Sequence, residues 1–171
     1  MENLCKLGKD NKGFDVFSII LKSEVLQAQV LSYGATLKDL RFNGFENSLV
    51  LGYPSIEDYF CDKNYAGVTV GRYANRISNG KYYLNCQKFE LDKNEVCATL
   101  HGGSESCHNS SWKIKDYSYN FVELTYQFND GDMGFGNLSV KLRYELAGSK
   151  LILTIEAFTS DLSLCNFTNH T

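Results

Sequence analysis

Leu138-Ser139-Val140-Lys141-Leu142-Arg143-Tyr144-Glu145-Leu146 alternates apolar and polar side chains without a break, and Leu151, Leu153, Ile155 and Ala157 resume the alternation after Ala147-Gly148-Ser149-Lys150. A period of two sends one set of side chains to one face of a strand and the other set to the opposite face. Two such runs joined by a glycine-containing turn predict a β-hairpin with one face on a core.

The same pattern spreads outward from this hairpin. Val122, Leu124, Tyr126 and Phe128 predict another strand, and Phe17, Ile19 and Leu21 followed by Leu26, Ala28 and Val30 predict a pair near the start. Shorter strands are expected at 48–51, 67–70, 81–91 and 112–117, with a last one at 162–168 that runs into the chain end. Only 55–60, opened by Pro54-Ser55 with Glu57 and Asp58 in its first turn, reads as a helix. Many short strands, fourteen glycines and almost no helix predict an all-β protein, a sandwich or barrel of antiparallel sheets. No linker, repeat or low-complexity stretch divides residues 1–171, so a single structural unit is expected.

Composition excludes several functions. The hydrophobic fraction of 43% suits a globular core, and Lys plus Arg total 17 against 20 for Asp plus Glu, a net charge of -3. No basic excess exists to hold a phosphate backbone, so nucleic acid is not an expected partner. The stretch 1–13 is polar and charged, with nothing a bilayer or secretory machinery would accept, which points to the cytoplasm rather than a membrane. Asn109, Asn137, Asn166 and Asn169 begin glycosylation sequons that matter only in a secretory pathway. The six cysteines show no Cys-x-x-Cys spacing and read as reduced thiols. Cys97, His101, Cys107 and His108 are zinc-ligand types, but their spacing fits no familiar finger, so no metal is expected.

Three segments stand out from the strand background. Gly71-Arg72-Tyr73-Ala74-Asn75-Arg76-Ile77 follows an apolar run, and its Asn75-Arg76 pair offers the donors and acceptors that grip vicinal hydroxyls; a surface arginine paired with a carboxylate is the plainer reading. Leu100-His101-Gly102-Gly103 lets the backbone turn tightly and leaves room beside an imidazole. Asn166-Phe167-Thr168-Asn169-His170-Thr171 is a polar cluster at the end of an apolar stretch.

In this order and spacing the three segments resemble the signature set of the aldose 1-epimerases. Leu31-Ser32-Tyr33-Gly34-Ala35-Thr36-Leu37, Gly52-Tyr53, Trp112, Asp130-Gly131-Asp132 and Gly134-Phe135-Gly136-Asn137-Leu138 extend the likeness from about Leu31 to the final residue. Two local departures stand out. Ser106-Cys107 replaces a usual Gly-Phe, and the loop before the hairpin lacks the proline of the usual Gly-aromatic-Pro-Gly-Asn.

The resemblance implies a galactose mutarotase-like antiparallel β-sandwich (a supersandwich), C-terminally incomplete. It also implies an isomerase that interconverts the α and β anomers of free aldohexoses such as galactose or glucose, in hexose metabolism. Opening a hemiacetal takes a proton from the anomeric hydroxyl and gives one to the ring oxygen, so an acid and a base must flank one small space. By the match, His170 protonates the ring oxygen, His101 stands close to the same oxygen, and Arg76 with Asn75 holds sugar hydroxyls. The aspartate and the glutamate base of the family lie in a segment beyond the matched one, which implies an impaired and marginally stable chain. No cofactor is implied, and the oligomeric state is not legible. The competing readings are a non-catalytic carbohydrate-binding module, an inactive truncated product, and an epimerase for phosphorylated hexoses.

Overall fold

The computed structural model describes residues 3–171. Its strands are β1 (Leu4–Lys9), β2 (Asp15–Lys22), β3 (Leu26–Leu31), β4 (Thr36–Phe42), β5 (Thr69–Val70), β6 (Arg76–Ser78), β7 (Lys81–Leu84), β8 (Gln87–Glu90), β9 (Ala98–Leu100), β10 (Lys113–Tyr117), β11 (Phe121–Phe128), β12 (Leu138–Ala147), β13 (Lys150–Phe158) and β14 (Thr168–Asn169). The helix α1 (Ile56–Phe60) falls between β4 and β5.

Two four-stranded antiparallel meanders, β1-β2-β3-β4 and β10-β11-β12-β13, form the body. Their inner faces share one core: Ile19, Leu21, Ala28 and Val30 from the first sheet meet Val122, Leu124, Val140, Leu142 and Tyr144 from the second. This is the sandwich the alternation predicts. Along β12 each of Leu138, Val140, Leu142, Tyr144 and Leu146 is buried, while the residues between them are not. The hairpin to β13 turns at Gly148, which takes a positive φ of 58° that a side chain disfavours. Helix α1 starts as expected: the Ser55 hydroxyl accepts from the Asp58 N–H while Asp58 reaches back to the cap, a reciprocal capping box.

Other expectations are corrected. The polar stretch 1–13, whose Met1 and Glu2 lie outside the described residues, contains β1, an edge strand mostly open to solvent and therefore lacking an apolar stripe. Segment 81–91 is not one strand but the hairpin β7-β8, because Asn85 and Cys86 both adopt positive φ (49° and 63°) and reverse the chain. Segment 48–51 forms no strand: the Ser48 hydroxyl takes the place of a ladder group on Leu40, and Leu49 and Leu51 stay exposed. Of the last expected strand, 162–168, only Thr168 is regular, as the first residue of β14. Upstream of it the Arg72 side chain satisfies the Leu164 carbonyl (3.0 Å) and the Ser163 hydroxyl, so those groups need no neighbouring strand. Among the described residues no helix is long and apolar enough to cross a membrane.

Candidate active site

Two short strand pairings bring the three sequence segments together. Strand β6 pairs with β9, setting Arg76 opposite Leu100, and β14 pairs with β5, setting Asn169 opposite Thr69. His101 follows β9 directly and His170 follows β14 directly. Their rings meet edge to face with centroids 5.1 Å apart.

Each histidine is held by backbone. His101 has a positive φ of 52°, and its N–H donates to the Asn75 carbonyl at 3.2 Å. In return the Asn75 N–H donates to His101 Nδ1 at 3.1 Å. An Nδ1 that accepts carries no proton, so the neutral ring is protonated at Nε2. A glycine must follow: a Cβ on Gly102 would lie 2.2 Å from the Gly71 carbonyl oxygen. On the other side the His170 N–H donates to Val68 (2.8 Å), and its carbonyl accepts from Gly67 (3.0 Å). Asn169 anchors this turn by donating to the Gly67 carbonyl at 2.8 Å and to the buried Tyr144 hydroxyl at 3.0 Å.

Burial sets the charge state of the buried imidazole. His101 is 8% exposed, and desolvation, with the charges of His170 and Arg76 adding to it, lowers its pKa to about 4. At neutral pH it is therefore an uncharged hydrogen-bond donor through Nε2. His170 is exposed, open to whatever enters the site.

The two arginines of the first motif part company. Arg72 is fully buried, donates to the carbonyls of Leu164 and Gly136 and to the Ser163 hydroxyl, and stands 5.3 Å from the Phe135 ring. It is a structural strut. Arg76 is exposed beside the histidines and forms a two-pronged ion pair with Glu95, Nε to Oε2 at 2.7 Å and Nη2 to Oε1 at 2.8 Å. The plainer reading of Arg76, a surface arginine paired with a carboxylate, is what the structure shows.

The family model for aldose 1-epimerase matches residues 18–171. The chain belongs to the aldose 1-epimerase family. It is 33% identical over 154 residues to the galactose mutarotase of Bos taurus, covering 88% of this chain and 45% of that protein. It is 34% identical over 150 residues to the aldose 1-epimerase of Haemophilus influenzae, covering 85% of this chain and 44% of that protein. The crystal structure of galactose 1-epimerase from Lactobacillus acidophilus NCFM superposes with a TM-score of 0.88 at 29% identity, over 98% of this chain and 51% of that one. The aldose epimerase homologue from C. elegans gives 0.83 at 28% identity, over 89% of this chain and 49% of that one. The chain spans about half the length of these relatives.

Two further residues stand beside these histidines: Tyr65, which the sequence did not single out, and His108, which it weighed only among four zinc-ligand types. Tyr65, at a positive φ of 60°, packs its ring 4.6 Å from His101, 5.0 Å from His108 and 5.7 Å from His170, wedged among all three. His108 is also pushed to a pKa of about 4 by burial, and its Nδ1 has no hydrogen-bond partner among the described residues. The signal for Tyr65 was faint: an aromatic residue in the loop ahead of Gly67, outside any alternating run. The departure at Ser106-Cys107 resolves simply. Cys107 is fully buried in the sandwich core and the Ser106 hydroxyl donates to the Gly71 carbonyl, so the turn is packed by a thiol. No group of three or more His, Cys, Asp or Glu side chains is arranged to hold a metal ion among the described residues.

Proposed function

We propose that this chain binds a free aldohexose and carries the acid side of its anomer interconversion, with the sugar's ring oxygen between His101 and His170. The observation that carries this reading is the meeting of those two rings at 5.1 Å with Arg76 on the adjoining strand. In the proposed step the C1–O5 bond breaks, O5 takes a proton from His170, and the anomeric hydroxyl gives up its own proton to a base. Rotation about C1–C2 and reclosure then deliver the other anomer. His101, neutral and protonated at Nε2, donates a hydrogen bond to O5 and steadies the charge developing there. Arg76 and Asn75 hold the neighbouring hydroxyls. No electron leaves the sugar, so the step calls for no redox cofactor.

The base is the part these residues do not supply. Glu95 is the carboxylate beside Arg76, but that ion pair lowers its pKa and makes it a weak proton acceptor. We therefore infer that the 171-residue chain by itself binds sugar but turns it over slowly, since general acid or base help contributes roughly 10² to 10⁴ in rate. Polarimetry on α-D-galactose is the test. Residual mutarotation that disappears in His170→Ala supports the assignment, whereas a rate unchanged by His170→Ala would remove His170 from the reaction.

A further inference from the structure

The loop between β8 and β9 is tied down more firmly than an exposed turn needs. Asn94 clamps Leu100 from both sides, its Nδ2 donating to the Leu100 carbonyl at 3.0 Å and its Oδ1 accepting from the Leu100 N–H at 2.7 Å. The Thr99 hydroxyl donates to the Asp92 carbonyl at 2.8 Å, the Glu95 N–H to Ala98 at 3.2 Å, and the Asn79 N–H to Cys97 at 2.7 Å. These bonds fix the backbone on either side of Glu95. Its side chain then meets Arg76 fork to fork, with each carboxylate oxygen on a different guanidinium nitrogen.

An isolated surface ion pair has little reason to be so preorganised, because two long side chains in water gain almost nothing by it. Here the pairing has a directional result. The Nε–Nη2 edge of Arg76 is occupied, and among the described residues nothing accepts from its Nη1. Glu95 also faces the histidine cluster electrostatically: its charge opposes the loss of the His101 proton and of the Tyr65 proton. A guanidinium that could swing would offer any of its five N–H groups; one gripped along an edge offers the remaining three in fixed directions, two of them on Nη1.

We propose that Glu95 is a positioning residue of the sugar site, holding Arg76 so that its Nη1 edge alone is presented to the hexose hydroxyls. This rests on the reading that the site takes an aldohexose. Glu95 acts through Arg76, so its contribution vanishes when Arg76 is absent.

A double-mutant cycle on galactose binding to the 171-residue chain, followed by NMR, tests this. Arg76→Ala and Glu95→Ala are each expected to weaken binding by about ten-fold, the scale of a hydrogen bond to a charged group, and the double variant by no more than Arg76→Ala alone. Glu95→Gln keeps an oxygen acceptor and is expected to stay within about three-fold of the parent. Thermal midpoints should scarcely move, since the pair is exposed, which separates positioning from misfolding. The Arg76 Nε–H resonance, protected from exchange in the parent, should lose its protection in Glu95→Ala whether or not sugar is present. Additive losses, or parental or tighter binding by Glu95→Ala, overturn the proposal while leaving the aldohexose reading intact. A parent that binds no galactose overturns both, and the Nε–H signal then reports on the ion pair alone.

Discussion

Acidification from pH 7 to pH 5 should destabilise this protein through two buried imidazoles. His101 and His108 each carry a pKa of about 4 in the folded chain, against 6.5 for an unperturbed ring, chiefly because burial penalises the cation. The unfolded chain therefore takes up protons first. Stability from these rings is complete above pH 6.5 and drains away as the pH falls towards 4. At pH 5 the linkage relation gives about 2 kcal/mol for a ring fully shielded from water. Neither ring reaches that limit, since His101 lines the open site and His108 is half-buried, so each share is discounted to about 1.5 kcal/mol. The combined loss of about 3 kcal/mol corresponds to a fall in Tm of roughly 6–12 °C for a domain of this size. Thermal unfolding followed by the single tryptophan, Trp112, at pH 7, 6 and 5 and constant ionic strength measures it. The His101→Gln/His108→Gln double variant should flatten the profile. A parental midpoint that stays level or rises between pH 7 and 5, or a double variant with the same slope, would refute the assignment of neutral buried rings.

Two substitutions test how the sandwich supports the site. The Tyr144 hydroxyl donates to the Ala35 carbonyl at 3.0 Å while accepting from Asn169, so Tyr144→Phe should cost about 1–3 kcal/mol in urea denaturation and weaken galactose binding by loosening the turn before His170. Gly71→Ala would place a methyl 2.0 Å from the Phe167 ring, three residues before His170; pushing that ring aside should cost about 1–3 kcal/mol and abolish binding, and a stable variant with full affinity would contradict the packing described.

The large strands were legible because burial on one face writes itself into alternation, as in β12, where five buried residues alternate with solvent-side ones. Strand β1 was hidden because an edge strand with an open face has no such constraint, and the β7-β8 reversal because Asn85-Cys86 lacks the glycine that usually marks one. The apolar residues of 48–51 misled for the opposite reason: Leu49 and Leu51 are apolar yet exposed. At the site, His101 and His170 could be anticipated only through motif resemblance, since nothing local links residues 69 positions apart. Their meeting depends on the pairings β6-β9 and β14-β5, of three and two residues per strand, too short to leave a periodic trace. Tyr65 and Glu95 were invisible for a related reason. Both sit in loops that no alternation marks, and a charged loop residue looks the same in sequence whether it is solvated or gripping an arginine.

The central claim is that one sugar ring contacts both histidines. Galactose titration monitored through the ring C–H signals of His101 and His170 addresses it most directly. The account predicts that both sets of signals move together and fit a single dissociation constant, with the His108 signals moving less. Movement of only one of the two rings, or two different constants, would contradict it.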